Sequence, residues 1–226
     1  MHERRDGLLE EGAGPDLYLA PFGDWPPAEQ AAAGSARGRV LDLGCGAGRL
    51  ALHLQHTGLD VVGADASPLA AAVARRRGLR QARVATWQEL SAEIGSFDTV
   101  ALFGNNAGIF GTPARLQAVL ARWARRMGPD ATVLAESTSP YAGTAPLLDA
   151  AHRRANRAAG RMPGQLRLRY RYGGHVSPWF DWLFLSPAEL RRLLRGTGWG
   201  VETLLDDGPT QPFVAVLRRR PASGSG

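Results

Sequence analysis

Residues 40–50, Val-Leu-Asp-Leu-Gly-Cys-Gly-Ala-Gly-Arg-Leu, constrain this fold more than any other stretch of the chain. The apolar run 39–43 has the length and composition of a strand buried on both faces. It stops at Gly44, and helical spacing begins at Leu50. A strand that passes through a glycine turn into a helix ends at the carboxyl edge of a sheet, where open α/β folds bind ligands. Glycines at 44, 46 and 48 let the backbone approach a ligand with no Cβ in the way, and the helix start offers free N–H groups.

Strand and helix alternate on either side of this turn. Short helices are predicted at 16–20 and 28–33, then strands at 60–64, 82–86, 98–103 and 132–136. Helices are predicted at 50–58, 68–77 and 113–127, the second opened by Ser67 as N-cap. Such alternation requires a mostly parallel, doubly wound sheet with helices on both faces. Past residue 144 the pattern changes to a helix at 145–160 and a hairpin of 165–172 with 179–185. A helix at 187–195 and an antiparallel pair, 200–205 with 212–218, close the chain. The expectation is one α/β domain over 1–226 with about seven strands. It carries a helical N-terminal segment over 1–38, an inserted helix-hairpin cap over 145–185 and a disordered tail over 222–226.

The glycine turn suits two cofactors unequally. A dinucleotide fingerprint, G-x-G-x-x-G/A, counted from Gly44 places the bulky Arg49 where a small residue is needed. Counted from Gly46 it reaches Ala51 and fits formally, but leaves Asp42 without a role. D-x-G-x-G-x-G from Asp42 to Gly48, followed by Val61-Val-Gly-Ala-Asp65 at the end of the next strand, resembles the class I S-adenosylmethionine-dependent methyltransferases. The resemblance runs from about residue 40 to 137, and more loosely to 217. It implies a Rossmann-like fold, S-adenosylmethionine as cofactor and S-adenosylhomocysteine as product. It also implies that Asp42, Gly44, Cys45 and Gly46 lie along the methionine end. Asp65 would then bind the ribose hydroxyls, with Ala66 and Ser67 beside the adenosine. At the third strand the chain has Ala85-Thr-Trp-Gln88, so Thr86 and Trp87 are the adenine-side candidates. Cys45 supplies small size rather than a nucleophile.

In this family the fourth strand ends near the transferable methyl group. The turn Phe103-Gly-Asn-Asn-Ala-Gly-Ile-Phe110 therefore makes Asn105 a cofactor or substrate contact and Asn106 a substrate contact. Neither an Asn/Asp-Pro-Pro-aromatic motif nor a Pro-Cys pair is present, which argues against methylation of DNA base amines or of cytosine C5. Candidate general bases are His175, Glu136 and Tyr141, needed only when the acceptor starts protonated. His152 and His175 do not form a metal-binding pattern, and no metal is expected. Within 165–172, Leu166, Leu168, Tyr170 and Tyr172 alternate with three arginines, giving one apolar and one basic face. With Trp179 and Trp182 the apolar face is expected to wall a substrate pocket.

Charge separates the remaining classes of function. All 27 basic residues are arginine, the net charge is +6, and the stretch 150–180 holds seven arginines and no acid. This favours anionic partners. The first expectation is O- or N-methylation of a small molecule, with an anionic compound or a natural-product scaffold as the candidates. RNA methylation is the second and cofactor binding without transfer the third. A single cysteine, no apolar leader and no long apolar run point to a cytoplasmic protein that does not enter membranes.

Overall fold

The computed structural model describes residues 1–12, 14–144 and 146–220. The expected tail at 222–226, and position 145 of the expected cap, lie outside them. Strands in chain order are β1 (His2–Arg4), β2 (Leu9–Glu10), β3 (Arg39–Leu43), β4 (Asp60–Asp65), β5 (Gln81–Val84) and β6 (Thr99–Leu102). They continue as β7 (Thr132–Ser137), β8 (Gln165–Tyr172), β9 (His175–Val176), β10 (Phe180–Leu183), β11 (Trp199–Asp206) and β12 (Phe213–Arg219). The helices are α1 (Pro15–Leu19), α2 (Pro27–Ala33), α3 (Arg49–His56), α4 (Pro68–Arg76), α5 (Pro113–Arg126), α6 (Ala150–Ala158) and α7 (Pro187–Leu193). None of them is long and apolar enough to cross a membrane.

The main sheet has seven strands in the order β11-β12-β7-β6-β3-β4-β5. Its five strands from β7 to β5 are parallel, and β12 enters antiparallel beside β7 and pairs with β11. The order reverses between β3 and β6, so the crevice for a ligand opens above those two carboxyl ends. Alternation along each strand divides the core into two layers. Leu41, Val100, Leu102 and Val133 face Leu116, Leu120 and Trp123. Val40, Ala101, Phe103 and Leu134 face Trp25, Ala32, Leu50 and Leu54. Asp42 is in phase with Val40 and Glu136 with Leu134, so both carboxylates enter the layer beneath α2 and α3.

A second sheet, in the order β10-β8-β1-β2 with β9 on β8, makes the cap. The expected hairpin is present, but the N-terminal segment is not wholly helical: its first ten residues supply two of this sheet's strands. His2, Glu3 and Arg4 pair antiparallel with Tyr170, Arg169 and Leu168. Their partners lie about 166 positions away, so no local periodicity announces them. Ion pairs fix the register. The Glu3 carboxylate accepts hydrogen bonds from Arg169 and Arg171, which hold its pKa down to about 2. Arg4 is buried and donates to Asp6, Asp149 and the carbonyl of Leu147.

Candidate active site

The glycine turn bends through three left-handed residues, with φ of 78° at Gly44, 54° at Gly46 and 82° at Gly48. The N–H groups of Gly44 and Cys45 both donate to the carbonyl of Ala64, at 2.7 and 3.0 Å, which pins the turn to β4. A Cβ on Gly44 would lie 2.3 Å from Nδ2 of Asn106, whereas one on Gly46 would meet nothing within 4 Å. Gly46 thus faces an open cradle that any side chain would begin to fill. Asp65 closes one end. Its Oδ2 accepts from the N–H of Gly46 at 2.9 Å and its Oδ1 from the N–H of Ser67 at 2.8 Å. Ser67 caps α4 through Ala70, and Ala66 and Ser67 stay exposed beside the cradle.

At the end of β5 the Glu89 carboxylate turns back onto the N–H and hydroxyl of Thr86, at 2.7 and 2.8 Å. That occupies both Thr86 donors, and its carbonyl accepts from the N–H of Leu90 at 3.3 Å. The signal was legible as a Thr-x-x-Glu capping box, which the sequence reading passed over. Trp87 is half-buried and meets Phe110 edge-on at 5.4 Å, as a wedge between helix and sheet. Cys45 is buried, and burial drives its thiol pKa upward, which disfavours the nucleophilic thiolate.

Beneath the cradle lie charges that the sequence only partly revealed. Asp42 is 2% exposed and accepts from the N–H of Ala51 in α3 at 3.1 Å. Glu136 is 1% exposed, and its two oxygens accept from the N–H groups of Gly104 and Asn105, at 2.9 and 3.1 Å. It therefore braces the loop after β6, a different use from the general base expected of it. From the covering helices come Arg49, bonded to Glu29 at 2.5 Å and stacked 4.5 Å over Trp25, and Glu29 itself, also buried. Burial pushes Asp42 up to about 7; burial and then the charge of Glu29 push Glu136 up to about 7. The folded state therefore retains protons that the unfolded chain releases above about pH 4. This contribution to stability is present at low pH and is lost as pH rises through about 7. His2 and His53, shifted down by burial, act in the opposite sense, so the test is a difference. Urea unfolding at about pH 5 and pH 8 should show a smaller loss with rising pH for Glu136→Gln than for wild type. Parallel profiles would refute the assignment.

The loop after β6 is held from both sides. Asn105 is the one non-glycine residue with positive φ among the described residues, at 65°, and its Oδ1 accepts from Thr138 at 2.8 Å. Strain of this kind persists where surrounding contacts enforce it, and it clusters at functional sites. Asn106 is buried and donates through Nδ2 to the carbonyls of Leu43 and Gly44, at 3.0 and 2.9 Å. It clamps the glycine turn rather than facing a substrate, because both bonds point into the fold.

The cap carries an aromatic row whose Trp182 end meets this loop. Tyr170 lies 5.0 Å from Phe180, and Phe180 lies 6.0 Å from Trp182. Gly108 permits close approach here: a Cβ on it would sit 2.7 Å from Nε1 of Trp182 and 2.5 Å from the carbonyl of Leu183. Tyr170 keeps about 48% of its surface open and lies 5.1 Å from the His2 ring. Desolvation there, and then the charges of Tyr18 and Asp65, push its hydroxyl up to about 12. Trp179 is not in this row. It packs under Arg169 at 4.5 Å on the opposite, basic face, and Phe180 takes the place expected for it. Burial, and then its hydrogen bond to Glu189 at 2.8 Å, raise the pKa of Tyr141 and keep it a neutral phenol. His175 stands exposed in the short β9 arm, and no hydrogen bond joins it to another candidate. The structure gathers Asp42, Gly44, Gly46, Asp65, Asn105, Glu136 and Trp182 around one edge, and leaves His175, Tyr141 and Trp179 outside that group.

A parallel sheet with a glycine cradle at its switch point and an acid at the end of the neighbouring strand defines a Rossmann-like cofactor enzyme. The family model described as methyltransferase domain matches residues 40–130. Residues 40–130 thus match a methyltransferase domain, and the glycine cradle with its neighbouring acid is consistent with S-adenosylmethionine as methyl donor and S-adenosylhomocysteine as product. Solved structures carry the same fold. A S-adenosylmethionine-dependent methyltransferase from Bacteroides fragilis, in complex with S-adenosylhomocysteine, has a TM-score of 0.76 at 23% identity, covering 97% of this chain and 87% of the other. The CcbJ methyltransferase from Streptomyces caelestis has a TM-score of 0.63 at 18% identity, covering 92% and 97%. A 1,6-didemethyltoxoflavin-N1-methyltransferase from Burkholderia thailandensis, with bound 1,6-didemethyltoxoflavin and S-adenosylhomocysteine, has a TM-score of 0.55 at 17% identity, covering 86% and 79%. No curated protein matches the chain by sequence.

Proposed function

We propose that this chain is an S-adenosylmethionine-dependent methyltransferase that acts on an oxygen or nitrogen of a small, largely flat apolar molecule. The observation that carries the proposal is the row Tyr170, Phe180 and Trp182, whose Trp182 end lies against the loop of Asn105 beside the glycine cradle. Aromatic faces bind flat apolar groups well and exclude water. The neighbour that holds 1,6-didemethyltoxoflavin is consistent with such an acceptor. RNA is the less favoured acceptor, since Glu3 and Asp181 already pair with Arg167, Arg169 and Arg171 on the basic face. We take the protein to work in the cytoplasm.

The cofactor supplies an electrophilic methyl group, and the residues named here bind, orient and exclude water. On this reading Asp65 holds the ribose, the Gly44–Gly46 turn lines the methionine end, and Asn105, set by Glu136 and Thr138, orients the acceptor. Transfer of label from methyl-labelled cofactor to a panel of aromatic and heteroaromatic alcohols, acids and amines, with RNA alongside, tests the proposal. Phe180→Ala should then raise KM for the accepted compound by roughly tenfold or more through lost apolar contact, with the affinity for S-adenosylhomocysteine unchanged. Labelling of RNA alone would overturn the reading.

A further inference from the structure

The acid-free arginine stretch is only partly neutralised by the fold. Glu3 pairs with Arg169 and Arg171, and Asp181 with Arg167 and, at 3.7 Å, with Arg115. A cleft of about 560 Å³ opens beside them, lined by Arg4, Arg5, Arg161 and Arg167 together with Asp6 and Asp181. Both acids are already engaged, Asp6 by Arg4 and Asp181 by Arg167. His152, at the same wall, is committed to the carbonyl of Gln165 at 2.8 Å. Arg5 and Arg161 are exposed, and neither guanidinium has a partner among the described residues. Counting Arg115 and Asp149 with the lining leaves the same surplus of two positive charges, because one is paired with Asp181 and the other with Arg4.

From this juxtaposition we propose that the cleft is a binding site for a small dianion bearing phosphate or carboxylate groups, separate from the cofactor and acceptor sites. Its volume falls within the range of small-molecule sites. Two unpaired guanidiniums facing one concave space raise the local potential, and their planar forks match the paired oxygens of either anion. None of Gly44, Gly46, Asp65, Asn105, Phe180 or Trp182 lines it. Its walls come from four segments: the N-terminal strand, the α6–β8 region, Asp181 of β10, and Gly111 with Thr112 at the end of the loop that begins at Asn105. An occupant would therefore tie the cap to the loop that bears the acceptor-facing residue. The proposal stands whether or not the acceptor is the flat molecule inferred above.

Calorimetric titration with pyrophosphate and with citrate, at constant ionic strength, tests it. Saturable binding at one site is expected, weakened by roughly tenfold or more in Arg5→Gln/Arg161→Gln. A control, Arg76→Gln/Arg195→Gln, removes two exposed arginines elsewhere and should bind like wild type. Affinity for S-adenosylhomocysteine should be equal in all three proteins. Binding of pyrophosphate alone assigns a phosphorylated ligand, of citrate alone a polycarboxylate, and of both the shared chemistry. The proposal fails if neither anion saturates, or if the control double variant loses as much affinity as the cleft variant.

Discussion

Asp65→Ala should lower the affinity for S-adenosylhomocysteine by about 1.5–3 kcal/mol or more, the range for hydrogen bonds lost from a charged group. That is roughly a 10- to 150-fold rise in Kd. The upper end is expected, because Asp65 does two things at once. Beyond its proposed hold on the ribose, it accepts the N–H of Gly46 and so fixes the height of the glycine turn. Asp65→Asn keeps one acceptor oxygen and should fall between wild type and alanine. Calorimetry on the three proteins checks the order. An affinity unchanged in Asp65→Ala would mean that the ribose lies elsewhere.

The two glycines ahead of it should fail in different ways. Gly44→Ala puts a Cβ where Nδ2 of Asn106 sits, and forces alanine to a φ of 78°. The backbone cost is about 1–2 kcal/mol, and loosening a buried amide from two carbonyls adds about 1–3 kcal/mol. This variant should unfold at clearly lower urea. Gly46→Val meets open space, so it carries the backbone strain without the collision. It should remain folded, given stabilities of about 5–15 kcal/mol for typical domains, while its binding of S-adenosylhomocysteine falls at least about 100-fold. Thermal unfolding and calorimetry on both variants separate the cases. Normal binding by Gly46→Val would reduce the motif to a tight turn.

Features encoded locally were legible in the sequence. The strand at 39–43 occurs as expected, because a short apolar run stopped by glycine admits few alternatives. The Ser67 cap is present for the same reason. The roles of polar residues were harder to read, since they depend on what arrives from far along the chain. Asn106 and Glu136 lie in the right place, but each turns inward to satisfy backbone groups of another segment. Trp179 and Phe180 are adjacent, and alternation alone does not say which one faces the loop. Pairing with Leu168 decides it for Phe180. The Glu29–Arg49 pair spans 20 positions between two helices whose packing no periodicity specifies.

The placement of β1 in the middle of the second sheet bears on the order in which the molecule is built. Strand β1 pairs with β8 across nearly the whole length of the chain, whereas β3, β4 and β6 pair within about sixty residues of one another. Closing the longer loop costs more chain entropy before any contact rewards it, and distant pairings form slowly. The cofactor edge and the β8–β10 hairpin are therefore expected to assemble first, with the N-terminal strand docking on the hairpin last. Run in reverse, the same asymmetry makes the N-terminal strand the first part to open. Amide hydrogens of β1 should exchange with solvent well ahead of those in β3 and β6, so that an acceptor can enter past a lid that frays while the cofactor stays held.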